Sequence, residues 1–242
     1  MPWYASYFLE LYGLWGREED LELACRILRR FYAKGGERFY AIELPILELC
    51  GTLKTAGKEA LYNEMKSLFC RHADRIAETG QDYPAHEVNY EQSIVAPAAA
   101  ILLQAFLLTG EEKYKTAGEI QLKVLDLFQG CAPDYHLYET AIRHWDGFWF
   151  GKRRMYGDTF PHYWSGLTGR VFLLWAEISG KEKYRKRGED CLRGVLSLFF
   201  PNGSAACAYL YPHSVNGRPG NYADPLANDQ DWGLYFALRD LV

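Results

Sequence analysis

Two segments of this chain, 70 residues apart, read almost alike: Leu108-Thr109-Gly110-Glu111-Glu112-Lys113-Tyr114-Lys115 and Ile178-Ser179-Gly180-Lys181-Glu182-Lys183-Tyr184-Arg185. Each closes an apolar stripe with helical spacing. Over 93–109 the stripe is Ile94, Ala98, Ile101, Leu102, Ala105 and Leu108; over 166–179 it is Leu167, Val171, Leu174, Trp175 and Ile178. A glycine at that point can take the left-handed conformation that stops a helix, and the charged residues behind it open the next one. Weaker copies surround Gly16, ahead of a helix expected over 19–32, and Gly57, ahead of one over 59–77. The pattern predicts four helical hairpins and a last helix over 229–240.

The four turn glycines are 41, 53 and 70 residues apart. A solenoid of the tetratricopeptide type keeps a short, near-constant period. Here the loops between hairpins lengthen along the chain and grow aromatic. Hairpins with tight turns at one end and long loops at the other build an all-α fold, an α/α toroid. The first helix of each pair lines the inside and the second lies outside. Residues 1–242 read as one such domain.

Composition narrows the function classes. Lys and Arg number 27 against 31 Asp and Glu, a formal charge of −4, so the basic footprint of a nucleic-acid binder is missing. The longest apolar runs read as too short and too interrupted to span a membrane. The start, Met1-Pro2-Trp3-Tyr4-Ala5-Ser6-Tyr7, shows neither the basic nor the apolar region of a signal peptide. The six cysteines (25, 50, 70, 131, 191 and 207) form no CxxC pair, which points to reduced thiols in a cytoplasmic compartment. No HExxH pattern is present, and neither a metal nor a cofactor is expected. Aromatic residues make up 16% of the chain; where they line a cleft they suit a ligand with flat faces and many hydroxyls, a carbohydrate.

The stretch 131–164 concentrates that chemistry. Ten of its 34 residues are aromatic, interleaved with acids, histidines and the cations Arg143, Lys152, Arg153 and Arg154. Loops this long inside a compact domain are usually functional. A second unusual segment, 201–228, carries the turn signals Asn202-Gly203 and Asn216-Gly217 around Ala208-Tyr209-Leu210-Tyr211. It reads as a small β-hairpin over 203–217.

The hairpin turns, the loop from Cys131 to Trp164 and the tail from Asn216-Gly217-Arg218-Pro219-Gly220 to Asp224-Pro225-Leu226-Ala227-Asn228-Asp229-Gln230-Asp231-Trp232-Gly233 resemble the six-hairpin glycosidase superfamily. Within it, His144-Trp145-Asp146-Gly147-Phe148-Trp149-Phe150-Gly151-Lys152 and Tyr156-Gly157-Asp158-Thr159-Phe160-Pro161-His162-Tyr163-Trp164 look most like uronate-processing members of the β-glucuronidase kind. The resemblance implies an (α/α)6 barrel of six hairpins. About four and a half are countable, so the chain reads as the C-terminal part of a longer protein or as a shortened member; an oligomer is compatible with either.

Glycoside hydrolysis needs two carboxyl groups across the scissile bond. Asp146 is the candidate acid, since Trp145, Phe148 and Trp149 flank it with apolar surface that raises a carboxyl pKa. Asp146-Gly147 equally fits a capped turn. Glu91, Asp158 and Asp231 are the candidates for the second carboxylate. Asp231 opens the last helix, where the helix dipole favours an acid whatever its function. Substrate contacts are expected from Tyr90, His144, Trp145, Trp149, Arg153, His162, Tyr163, Trp164 and Asp231, with an arginine clamping a uronate carboxylate bidentately. The leading expectation is therefore a glycoside hydrolase acting on a uronic-acid-containing oligosaccharide. One alternative is a polysaccharide lyase or sugar epimerase on the same scaffold, with His162, Tyr163, Tyr90 and His144 carrying the proton transfers. Another is a glycan-binding module without turnover. His72, on a helix face, reads as structural.

Overall fold

The computed structural model describes residues 1–87, 92–128, 163–206 and 231–241 in full. For 148–149, 153–154, 158–162, 208–211, 214–215, 218–219 and 230 it describes the backbone alone. The helices are α1 (Tyr4–Trp15), α2 (Glu18–Ala33), α3 (Ile46–Thr55), α4 (Glu59–Thr79), α5 (Gln92–Thr109), α6 (Glu112–Asp126), α7 (Ser165–Ser179), α8 (Glu182–Leu196) and α9 (Gln230–Leu241), with a 3₁₀ turn at Gly36–Arg38. The fold class is all-α. The predicted hairpins are present as α1/α2, α3/α4, α5/α6 and α7/α8, followed by the single helix α9.

The turn glycines do what their spacing predicts. Gly16, Gly57, Gly110 and Gly180 have φ of 65°, 67°, 75° and 64°. In this conformation their amides reach back to helix carbonyls, as in Gly110 N–H to Phe106 O at 2.7 Å and Gly180 N–H to Ala176 O at 2.8 Å. Acids then seed the next helix. Glu18, Glu19 and Asp20 occupy the first turn of α2, where they complement the dipole.

The chain forms two compact units, 1–122 and 123–242. The first is built around Leu21, Leu28, Ile46, Leu49, Met65 and Phe69, all sealed from water. Helix α5 packs on α3 and α4, and Leu102 and Leu103 close on Gly118 of α6. Surrounded in this way, α5 is apolar on every face. Contrary to the expectation that every apolar run is too short, its 18 residues are long and apolar enough to cross a membrane. Two-thirds of that window is buried within the protein, and a core helix passes the same test.

The second unit packs α7 against α8 and α9. Two glycines let α7 and α8 approach closely. A Cβ on Gly188 would stand 2.9 Å from the Gly169 carbonyl and 2.7 Å from Leu173 Cγ, and one on Gly169 would stand 3.0 Å from the Gly188 carbonyl. Arg187 lies 4.4 Å from the Phe172 ring centroid and pairs with Asp126 at 2.8 Å. Arg170 of α7 pairs with Asp240 of α9 at 3.0 Å.

Short antiparallel strand pairs accompany the helices of this unit: β1 (Phe148–Trp149) with β2 (Arg153–Arg154), β3 (Asp158–His162) with β4 (Ala208–Tyr211), and β5 (Ser214–Val215) with β6 (Arg218–Pro219). Ala208–Tyr211 is a strand as expected, but it does not fold back on its neighbours. Its partner is β3, in register Asp158 with Tyr211, Thr159 with Leu210 and His162 with Ala208. The turn signals on either side close smaller pairs of their own. Phe199 bridges Ala205 around Asn202-Gly203, and Val215 faces Arg218 across Asn216-Gly217. The last residues of the long aromatic loop are thus sheet rather than coil.

Cys25, Cys50, Cys70 and Cys191 are free thiols; Cys131 and Cys207 lie outside the described residues.

Candidate functional site

Asp146, Glu91, Tyr90, His144 and Trp145 lie outside the described residues. For Asp158, Trp149, Arg153 and His162 the backbone alone is placed: Asp158 opens β3 and His162 ends it, while Trp149 and Arg153 face each other across β1 and β2. Asp231 is exposed in the first turn of α9. Tyr163 and Trp164 are described in full.

His162, Tyr163 and Trp164 carry the chain from β3 directly into α7. Strand β3 rests on α8. The Tyr163 carbonyl accepts the Gly166 N–H at 3.1 Å, and the Trp164 carbonyl accepts the Leu167 N–H at 3.0 Å. Tyr163 is buried, its ring 5.5 Å from that of Trp164, and its Cβ lies against Gly233 of α9. The Tyr163 phenol is thus held between strand and helix, next in sequence to His162.

At the start of α7 the hydroxyls of Ser165 and Thr168 are sealed from water with no hydrogen-bond partner among the described residues; so are both amide atoms of Gln92 at the start of α5. Each such group costs about 1–3 kcal/mol, so groups of this kind are uncommon in folded proteins. Sequence reasoning missed all three. Their signal was a polar residue set into an otherwise apolar helical stripe.

In the first unit, the loops ahead of α3 and α5 are tied together. His72 of α4 donates from Nε2 to the Phe39 carbonyl at 2.9 Å, and His86 donates from Nε2 to the Arg38 carbonyl at 3.0 Å. The Tyr40 N–H donates to Glu87 Oε1 at 3.2 Å. With Nε2 of His72 committed as donor, Nδ1 accepts the Tyr32 hydroxyl at 3.2 Å, so the ring is neutral. Burial holds its pKa down at about 4, against the raising effects of the Phe39 carbonyl and nearby Glu37. The structural reading of His72 fits this geometry. Tyr83 and Gln121 add a further tie, hydroxyl to Oε1 at 2.6 Å.

Burial also pushes the thiol of Cys25 up to about 11 and that of Cys50 to about 12, so neither can serve as a nucleophile near neutral pH. Among the described residues no group of three His, Cys, Asp or Glu side chains is placed to hold a metal.

No protein-family model matches the chain, and no curated protein matches it. A solved structure described as a polysaccharide lyase is similar to it over 98% of its length, with 42% sequence identity and a TM-score of 0.85. The chain spans 35% of the length of that structure. The similar protein is thus described as a lyase, where the sequence resemblance pointed to glycosidases.

Proposed function

We propose that this protein is a carbohydrate-active enzyme, a polysaccharide lyase that cleaves the bond next to a uronic acid by β-elimination. The observation that carries this reading is the 42% identity, over nearly the whole chain, to a structure described as a polysaccharide lyase. It moves the leading expectation from hydrolysis to elimination.

Elimination puts different demands on the site than hydrolysis. A base removes the proton at C5 of the uronate. The freed electron pair becomes the C4–C5 double bond, the C4–O bond breaks, and the departing oxygen takes a proton. No water is consumed, and no second carboxylate is required. What is required is neutralisation of the substrate carboxylate, which makes the C5 proton acidic, and groups that move protons. His162 and Tyr163, adjacent at the junction of β3 and α7, suit the proton transfers, with Tyr90 and His144 as further candidates. Arg153 suits the carboxylate.

The deciding assay follows ultraviolet absorbance while the purified protein is offered a panel of uronate polysaccharides. Elimination leaves an unsaturated, absorbing product end. New reducing ends without that absorbance would restore hydrolysis through Asp146; binding without either product would leave a glycan-binding module.

A further inference from the structure

In the first unit, five cations gather around the Gly36–Arg38 turn with no carboxylate partner among the described residues. Arg30 and Lys34 stand at and just beyond the end of α2, Arg38 in the turn itself, Arg71 in the middle of α4 and Arg75 near its end; all five are exposed. Elsewhere in this unit Arg17, Arg29, Lys58, Lys113 and Lys115 are each matched to an acid, while Arg26, Lys54 and Lys66, which line none of the clefts below, have none among the described residues. The five also border three clefts, each lined by part of the 36–39 segment. An open cleft of about 360 Å³ has aromatic walls including Tyr4, Phe31 and Phe39, with Arg30 and Lys34 on it. A second, of about 540 Å³, is lined by Arg71 beside the Arg29–Glu64 pair. A small notch that meets the second cleft at Glu37 is lined by Arg38, Arg75, Tyr40 and His86. Among the described residues lining these clefts, the acids are Glu37 and Glu64, and Glu64 is already bound by Arg29.

We propose that this surface is an exosite that holds an acidic glycan chain outside the His162–Tyr163 segment. The identity of the ligand rests on the uronate reading above; the existence of a built anion surface does not. Three observations favour a polyuronate. Separate, unpaired guanidinium and ammonium groups match a polymer with one carboxylate on each sugar. Exposed aromatic rings, Phe39 and Tyr4 each about half exposed, offer faces for the sugar C–H surface. The turn that presents Arg38 and Phe39 is fixed beforehand, because His86 and His72 bond their two carbonyls. Little ordering cost is then left for binding.

The test compares wild-type protein with the double variant Arg38→Gln/Arg75→Gln and with Arg30→Gln/Lys34→Gln. Calorimetric titration uses a polyuronate oligosaccharide and the same oligosaccharide with its carboxyl groups reduced. Wild type is expected to prefer the acidic form, and each double variant to bind it roughly fivefold to thirtyfold more weakly, with loss of salt dependence. Cleavage of the shortest substrates should be unchanged. Unaltered affinity in both variants, or equal affinity for the reduced glycan, overturns the exosite, as does tighter binding of duplex DNA than of polyuronate. Weakened binding by the variants without any ultraviolet-absorbing product from wild type retains the exosite and removes the lyase reading. Elimination with no effect of the four cations does the reverse.

Discussion

His72 Nε2 and the carbonyl of Phe39, 2.9 Å apart, join the middle of α4 to the loop that precedes α3. The imidazole is buried and neutral, and its pKa lies near 4. The unfolded chain titrates near 6.5, so between those two values it binds a proton that the folded protein excludes. Stability therefore falls as pH drops through that window, by roughly 3 kcal/mol once pH reaches the folded value. Urea midpoints measured from pH 7.5 to 4 should show the decline, and His72→Gln should flatten its share of it. A midpoint indifferent to pH across this range would mean that His72 accepts its proton in place.

The contact between Gly169 and Gly188 leaves no room for a side chain. Gly188→Ala should destabilise the protein by about 1–3 kcal/mol, by forcing Leu173 and the facing backbone apart. Gly13, inside α1 with no atom within 4 Å of where its Cβ would stand, is the contrasting site. There alanine should stabilise by about 0.5–1 kcal/mol through lower backbone entropy in the unfolded chain. Thermal or urea unfolding of the two variants separates the effects.

Asp240 is 5% exposed and receives Arg170 at 3.0 Å and Arg239 at 2.9 Å. Asp240→Ala would remove the carboxylate that both guanidinium groups share where α7 packs on α9, at a cost of about 1–3 kcal/mol. A double-mutant cycle with Arg170→Ala measures the coupling between α7 and α9. Additive losses would show that the pair is not coupled.

The chemistry separates by side chain. Under elimination, His162→Ala and Tyr163→Phe should each cut formation of the unsaturated product by about 10²–10⁴-fold. Asp146→Asn should leave it within a few-fold of wild type. The reverse ranking would identify a hydrolase. Circular dichroism of Tyr163→Phe checks that the buried ring still packs against α9.

Much of the helical framework is legible in the sequence, because its signals are local. A glycine with positive φ at 16, 57, 110 or 180 ends a helix through bonds to carbonyls three or four residues back, and the stripes of α5 and α7 need only 3.6-residue spacing. Strand Ala208–Tyr211 is visible for the same reason, while its pairing with Asp158–His162 is not. Alternation along one strand carries no information about a partner some 50 residues away.

His162 and Tyr163 could be picked out as candidates because aromatic, acidic and basic residues crowd one long stretch. The basic surface around Gly36–Arg38 could not, since an arginine or lysine on a helix end reads as ordinary solvated charge. What the sequence determined by itself is the order of helices and turns, written in short-range hydrogen bonding and apolar spacing. What only the tertiary structure decided is that Arg38 and Arg75 share one cleft, that Gly169 meets Gly188, and that His72 stays uncharged. Each of these depends on residues distant in the chain sharing a common boundary, and that proximity arises only once the helices have packed.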